Sequence, residues 1–284
     1  MIRSIGTVLG ITAWLLASVC SIPLNSSAEP EASVQYAVPK GPLKVLSTNS
    51  RYFFDAQGRP VYLSGSHIHL SLQTLQGKPS IVFDDLLQFL QAHRHNFTKL
   101  WTLDSHFAHF TPLPYKGVGT EVGLDGKPKF DLSQLNEEYF ERLLSHAAAA
   151  QERGVYVDIM LFNGWSVERK DPTWNVWNRH PFHRDNNVNG IDGDPNGDGK
   201  GTGVHTLHNP TITAIQEAYV RKVIDTVNDL DNVLYEIVNS AAGTPDNTAW
   251  QYHMIEYIHE YEQAKPKQHP VGMTAQWPGG SNQT

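Results

Sequence analysis

Side chains suited to gripping a sugar stand at the ends of successive apolar runs in this sequence. The pairs are His67 and His69, Trp101 and Asp104, Asn163 and Trp165, Asn239 and Ser240, and Gln276 and Trp277. Flat indole faces stack on the apolar faces of sugar rings, while amides and imidazoles bond hydroxyls. His67, Trp101, Asp104, Asn163, Trp165, Asn239 and Trp277, with His205 from a long intervening segment, form the candidate substrate-binding set. Asp104 is the carboxylate best placed for acid–base work, and an Asp that bonds its own loop is the competing expectation. Glu236 and Asp158 fall in the middle of apolar runs, where a carboxylate is expected to be buried and paired rather than catalytic.

A second cluster has metal-ligand spacing. Asp192, Asp194, Asn196 and Asp198 alternate with Gly and Pro, and Gly197 stands sixth, as at the start of a calcium loop. The twelfth position is Gly203 instead of the expected Glu. The segment is therefore no EF-hand, and a looser Ca2+ site and a plain series of turns both remain open. Trp174 and Trp177 lie in the same long segment beside Arg179, His180 and His183, which points either to a wall of a binding cleft or to packing of the segment on itself or on another domain.

These residues need a scaffold that brings strand ends together. From Leu43 onward, turn-flanked short runs give a hairpin, and then strand-like and helix-like segments alternate. Strands are expected at Val61–Leu63, Phe97–Leu103, Val155–Phe162, Val233–Val238 and Val271–Ala275. Helices are expected from Val82 to His93 with Ser80 as cap, after Asn136, from Pro210 to about Leu230, and from Thr248 to Ala264. Alternating strands and helices imply a parallel sheet with helices outside. The fold class is α/β, a TIM-type (β/α)8 barrel, incomplete, with about five βα units. Segments 105–135 and 163–209 are long insertions that use up the length of a whole barrel. Five strands cannot close such a barrel, so open edges are expected.

Composition narrows the class. The net charge is −7, with 22 basic and 29 acidic residues and no basic run, which argues against nucleic acid as partner. The chain begins with Arg3, an apolar run from Ile5 to Val19 and Ser26-Ser27-Ala28, the pattern of a secretory signal over residues 1–28. An uncleaved N-terminal anchor is the alternative. Residues 29–42 read as a linker and 43–284 as the barrel domain. The sole cysteine, Cys20, leaves with the signal. A secreted or periplasmic protein without disulfides or thiol chemistry is expected, with no membrane association after signal removal.

One motif carries a family resemblance. The segment from Asn232 through Tyr235, Glu236, Ile237 and Val238 to Asn239 and Ser240 resembles the fourth-strand signature of the cellulase-like glycoside hydrolases, Tyr-Glu-Ile-x-Asn-Glu. Similarity extends to the entry segment Arg51–Asp55, to Pro60–His67 and to Trp250–Ile255. The resemblance implies a secreted retaining glycosidase that acts on plant or microbial polysaccharide with no required cofactor. It also implies that Asn239 holds the sugar 2-hydroxyl and that the acid/base Glu belongs where this chain has Ser240. A hydroxyl cannot protonate a leaving oxygen as a raised-pKa carboxylic acid does. The family's nucleophile belongs at the end of a seventh strand, which this sequence does not reach. Little or no hydrolysis by this chain alone is the resulting expectation. A non-catalytic glycan-binding protein and a calcium-stabilised structural module are the other readings.

Overall fold

The computed structural model describes residues 37–69, 71–75, 82–105, 110–168 and 175–273, all within one compact unit that spans residues 33–284. The expected signal, the Ser80 cap, Trp174, Gln276 and Trp277 lie outside the described residues.

The unit opens with a small antiparallel sheet of β1 (Lys44–Leu46), β2 (Asn49–Phe54) and β3 (Pro60–Val61). Asp55 fixes the turn between β2 and β3, accepting backbone N–H bonds from Gln57 and Arg59 at 2.9 Å each. The segment expected to be the first barrel strand thus begins in this hairpin sheet. The first barrel position is filled instead by Gly65, which bridges in parallel to Phe97, with Ser64 bonded to Asn96 beside it. The approach is too close for a side chain, since a Cβ on Gly65 would lie 1.7 Å from the Phe97 carbonyl oxygen.

The strand β4 (Thr74–Leu75) and helix α1 (Phe83–Ala92) lead to β5 (Phe97–Leu100). Phe83, Leu86, Leu87 and Leu90 form the buried face of α1. The insertion after β5 is not irregular. It holds β6 (Phe110–Thr111), which pairs with β4, and a long hairpin of β7 (Tyr115–Val122) and β8 (Pro128–Leu135). Helix α2 (Glu137–Glu152) follows, with Asn136 in the N-cap position. The Asn136 side chain does not cap the helix; its Nδ2 donates to the Leu113 carbonyl at 3.0 Å.

The strand β9 (Tyr156–Asn163), the short helix α3 (Trp165–Glu168), helix α4 (Pro210–Val227), β10 (Val233–Asn239), helix α5 (Pro245–Glu262) and β11 (Val271–Gly272) complete the order. Asn209 caps α4 as expected, accepting from Thr211 N at 3.1 Å and Ile212 N at 3.4 Å. Helix α5 starts three residues before the expected Thr248, because Thr244 accepts from Asn247 N and Pro245 occupies the first turn. The parallel strands run β5-β9-β10-β11 in both space and sequence. With the Gly65 bridge they form, among the described residues, five consecutive positions of an incomplete (β/α) barrel.

Side chains alternate across these strands. Val157, Ile159, Leu161, Tyr235 and Ile237 point out to α2, α4 and α5 and make the main core with Tyr139, Phe140, Tyr219 and Trp250. Trp250 is fully buried, donating from Nε1 to Gln216 Oε1 at 2.9 Å, so it is a core residue as its helix position suggests. The inward residues stack in layers. At the bottom, Tyr156, Leu234 and Phe97 pack with Leu43, Phe53 and Leu63 of the entry segment into an apolar plug. Above it lies a charged layer, in which Lys99 pairs with Glu236 and stands 3.7 Å from Asp158 Oδ2. The mid-strand carboxylates are therefore paired structural groups, as expected, and Lys99 is the partner that sequence reading did not name.

Candidate functional site

Above the charged layer, at the C-terminal ends of the strands, the chain folds around a cleft of about 480 Å3. It is lined by His69, Trp101, Leu103, Phe110, Asn163, Trp165, Asn239 and Ser240. The parallel register sets Asn163 and Asn239 side by side on β9 and β10. That pairing continues past the strand ends, where Gly164 N donates to Asn239 O at 2.8 Å. A Cβ on Gly164 would fall 2.3 Å from the Ser240 carbonyl oxygen, so the two strand ends touch backbone to backbone.

Each polar group at this rim has a defined orientation. Asn163 Oδ1 accepts from Trp165 N at 3.2 Å, which fixes the amide. Asn239 Nδ2 donates to Ser240 Oγ at 2.9 Å. Ser240 holds φ +54°, a left-handed conformation that is uncommon for a residue with a Cβ. Trp101 is held between imidazoles: His67 stacks on it at 5.3 Å and 11°, and His69 meets it edge-on at 4.5 Å. The Lys99 ammonium lies 5.4 Å from the same indole centroid. Burial lowers the His67 pKa, and the nearby Lys99 and His69 charges lower it further against an opposing pull from Glu236. His67 is thus a neutral ring near pH 7.

Of the expected substrate-binding residues, Trp101, Asn163, Trp165 and Asn239 line the cleft, and His67 supports it through Trp101. Trp277 lies outside the described residues. Two expectations are corrected. Asp104 does not face the cleft. Its Oδ1 accepts from Ser166 Oγ at 2.6 Å and its Oδ2 from Asn163 N at 3.2 Å, and His180 Nε2 lies 3.7 Å away. Burial alone would raise its pKa, but the adjacent His180 and the bond from Ser166 hold it below the usual carboxylate value. An ionised, fully engaged carboxylate is a brace for the strand ends, and it is not a general acid. His205 is also away from the cleft. It is buried, stacks on Trp250 at 4.5 Å, and has its pKa pushed down to about 3 by burial. Both lie at strand or loop ends in sequence, but their side chains turn outward into a small enclosed cavity with Tyr115, Phe182 and Tyr219.

The calcium expectation also fails to find converging ligands. Asp192 Oδ1 accepts from Asp194 N at 3.0 Å, Asp194 from Asp198 N and Gly199 N at 3.1 and 2.9 Å, and Asp198 from Lys200 N at 2.9 Å. These carboxylates are turned onto their own backbone, and Asn196 follows the same chain of turns. Among the described residues no group of three or more His, Cys, Asp or Glu could hold a metal ion. Trp177 is likewise no cleft wall. It is 1 % exposed and stacks on His180 at 5.0 Å, within the main core together with Phe182 and Val204. The described part of the long segment after β9, residues 175–209, thus sends Trp177, Phe182 and Val204 into the main core.

Sequence reading missed Leu103 and Phe110 as cleft residues. An apolar lining residue has no chemical signature in sequence, although Leu103 stands beside Asp104 at a strand end.

A family model described as "Domain of unknown function (DUF6298)" matches residues 91–277, more than half of the chain. The chain belongs to the DUF6298 family. No curated protein matches this DUF6298 chain in sequence. Solved structures of similar fold include a putative glycoside hydrolase from Bacteroides vulgatus, at TM-score 0.50 and 12 % identity over 82 % of this chain and 38 % of that one. Endo-glycoceramidase II from Rhodococcus sp., captured as a lactosyl-enzyme intermediate, gives TM-score 0.51 and 15 % identity over 80 % of this chain and 52 % of that one. The DUF6298 chain thus has the barrel fold of glycoside hydrolases and spans about half the length, or less, of these structures.

Proposed function

We propose that this DUF6298 protein is an exported glycan-binding relative of the cellulase-like glycoside hydrolases, and that its cleft holds a sugar chain without hydrolysing it. The observation that carries the reading is the lining of the cleft. Two indoles, an imidazole, two side-by-side amides and a hydroxyl converge there, and no Asp or Glu is among the lining residues described. Retaining hydrolysis needs two carboxyl groups about 5–5.5 Å apart across the scissile bond. Where the resemblance places the acid/base, Ser240 offers only a hydroxyl bonded to Asn239. Asp104, Asp158 and Glu236 are each engaged in structural pairs. The Arg3 and Ile5–Val19 pattern supports export.

The test is binding and turnover measured together. Titration of the purified protein with a panel of neutral and acidic oligosaccharides, followed by tryptophan fluorescence, should give saturable binding with no release of reducing ends. Trp165→Ala should weaken that binding by about tenfold, the loss of one stacking platform. Turnover, or binding indifferent to Trp165, would refute the proposal.

A further inference from the structure

Resting on that reading, we propose that a second groove beside the cleft carries the ligand onward, so that the protein binds a polysaccharide along its length and not a single terminal sugar. The groove has a volume of about 570 Å3, and its lining includes Asn196, Lys200, Thr202, His208, Ala242 and Asp246. It is built by the segment after β9 and by the loop that leads into α5. Two connections set it against the cleft. Ser240 lines the cleft and Ala242, two residues on, lines the groove, a separation of at most about 7 Å. Trp165 of the cleft opens α3, whose Val167 carbonyl accepts from Gly201 N at 2.8 Å. Gly201 in turn stands between Lys200 and Thr202 of the groove.

The chemistry of the groove suits the middle of a neutral sugar chain. The Thr202 hydroxyl and the Asn196 amide can each donate and accept, as sugar hydroxyls do. Thr244, also in the lining, accepts from Asn247 N at 3.2 Å and keeps its own proton to donate. Lys200 and Asp246 carry opposite charges, so the lining leans toward no charged ligand. The cleft has two indoles, whereas no Trp, Tyr or Phe is among the described residues of the groove. Rings anchor a sugar by stacking; hydrogen bonds exchanged against water are individually weak. The groove therefore adds little for a free sugar. It adds more for a chain already held in the cleft, because the second contact is then made within one complex.

The deciding experiment is calorimetric titration of the purified protein with cello-, xylo-, manno- and laminari-oligosaccharides of two and of six units. In at least one series the six-unit member should bind about tenfold more tightly than the two-unit member. Lys200→Ala combined with His208→Ala strips two exposed side chains from the groove, and Ala242→Phe fills it. Each change should bring the ratio of the two affinities back toward one. Trp165→Ala, in the cleft, should instead weaken both lengths together. The double variant alters only exposed side chains, so a misfolded Ala242→Phe would not leave the question open. Equal affinity for both lengths in the parent, or a length gain that the double variant retains, would overturn the groove and leave the glycan-binding reading standing. If no member of any series binds, that reading falls and the groove with it.

Discussion

Asn239 donates from Nδ2 to the Ser240 hydroxyl at 2.9 Å, across a backbone in which Ser240 holds φ +54°. A side chain in the left-handed region costs roughly 1–2 kcal/mol, and such residues gather at functional sites where the surroundings over-determine them. Here the surroundings include the Gly164 backbone, packed directly against the Ser240 carbonyl. Ser240→Gly should therefore stay within about 1 kcal/mol of the parent in chemical denaturation, because glycine adopts this conformation freely. Ser240→Val should lose about 2 kcal/mol or more, since a β-branched residue is a sharper misfit at positive φ. Equal stability of the two variants would mean that the strand end is not held as described.

The charged layer under the cleft gives a pH prediction. Lys99 serves two carboxylates, and burial together with the neighbouring Glu236 charge raises the Asp158 pKa well above 3.8. A folded-state pKa above the unfolded value means that the folded protein holds the proton longer. Stability should then fall as pH rises from about 4 toward that raised value. Asp158→Asn should flatten this slope, as read from denaturation midpoints at pH 5 and pH 8. Lys99→Met strands both carboxylates in a site where the side chains are 15 % exposed or less, and should cost about 3–5 kcal/mol. A Lys99→Met protein as stable as the parent at pH 8 would contradict the pairing.

Much of this architecture was legible from periodicity alone. The run from Val155 to Phe162 is apolar on both faces because helices cover one side and the barrel interior the other, and it forms β9 with a one-residue shift. Asn209-Pro210 starts α4 because cap and proline act locally. What could not be read was direction. Asp104 and Asn163 both stand at strand ends, yet one turns away to Ser166 and the other faces the cleft, a difference made by packing around His180 and Trp165. The hairpin of β7 and β8 was hidden because its strands carry Gly117, Gly119 and Lys residues on a solvated face, with bulges that break alternation. Trp177 read as a cleft residue for its type, whereas Phe182 and Val204 claim it for a core that no local pattern announces.

The segment from Asp192 to Lys200 yields a negative prediction with a clean readout. Its carboxylates already accept backbone N–H bonds at 2.9–3.1 Å, so a calcium ion would have to displace them. The melting temperature should be unchanged by chelator and by millimolar calcium. Asp194→Ala should lower it in both conditions alike, because Asp194 bonds the amides of Asp198 and Gly199 whether or not metal is present. A calcium-dependent rise in melting temperature that Asp194→Ala abolishes would restore the metal site.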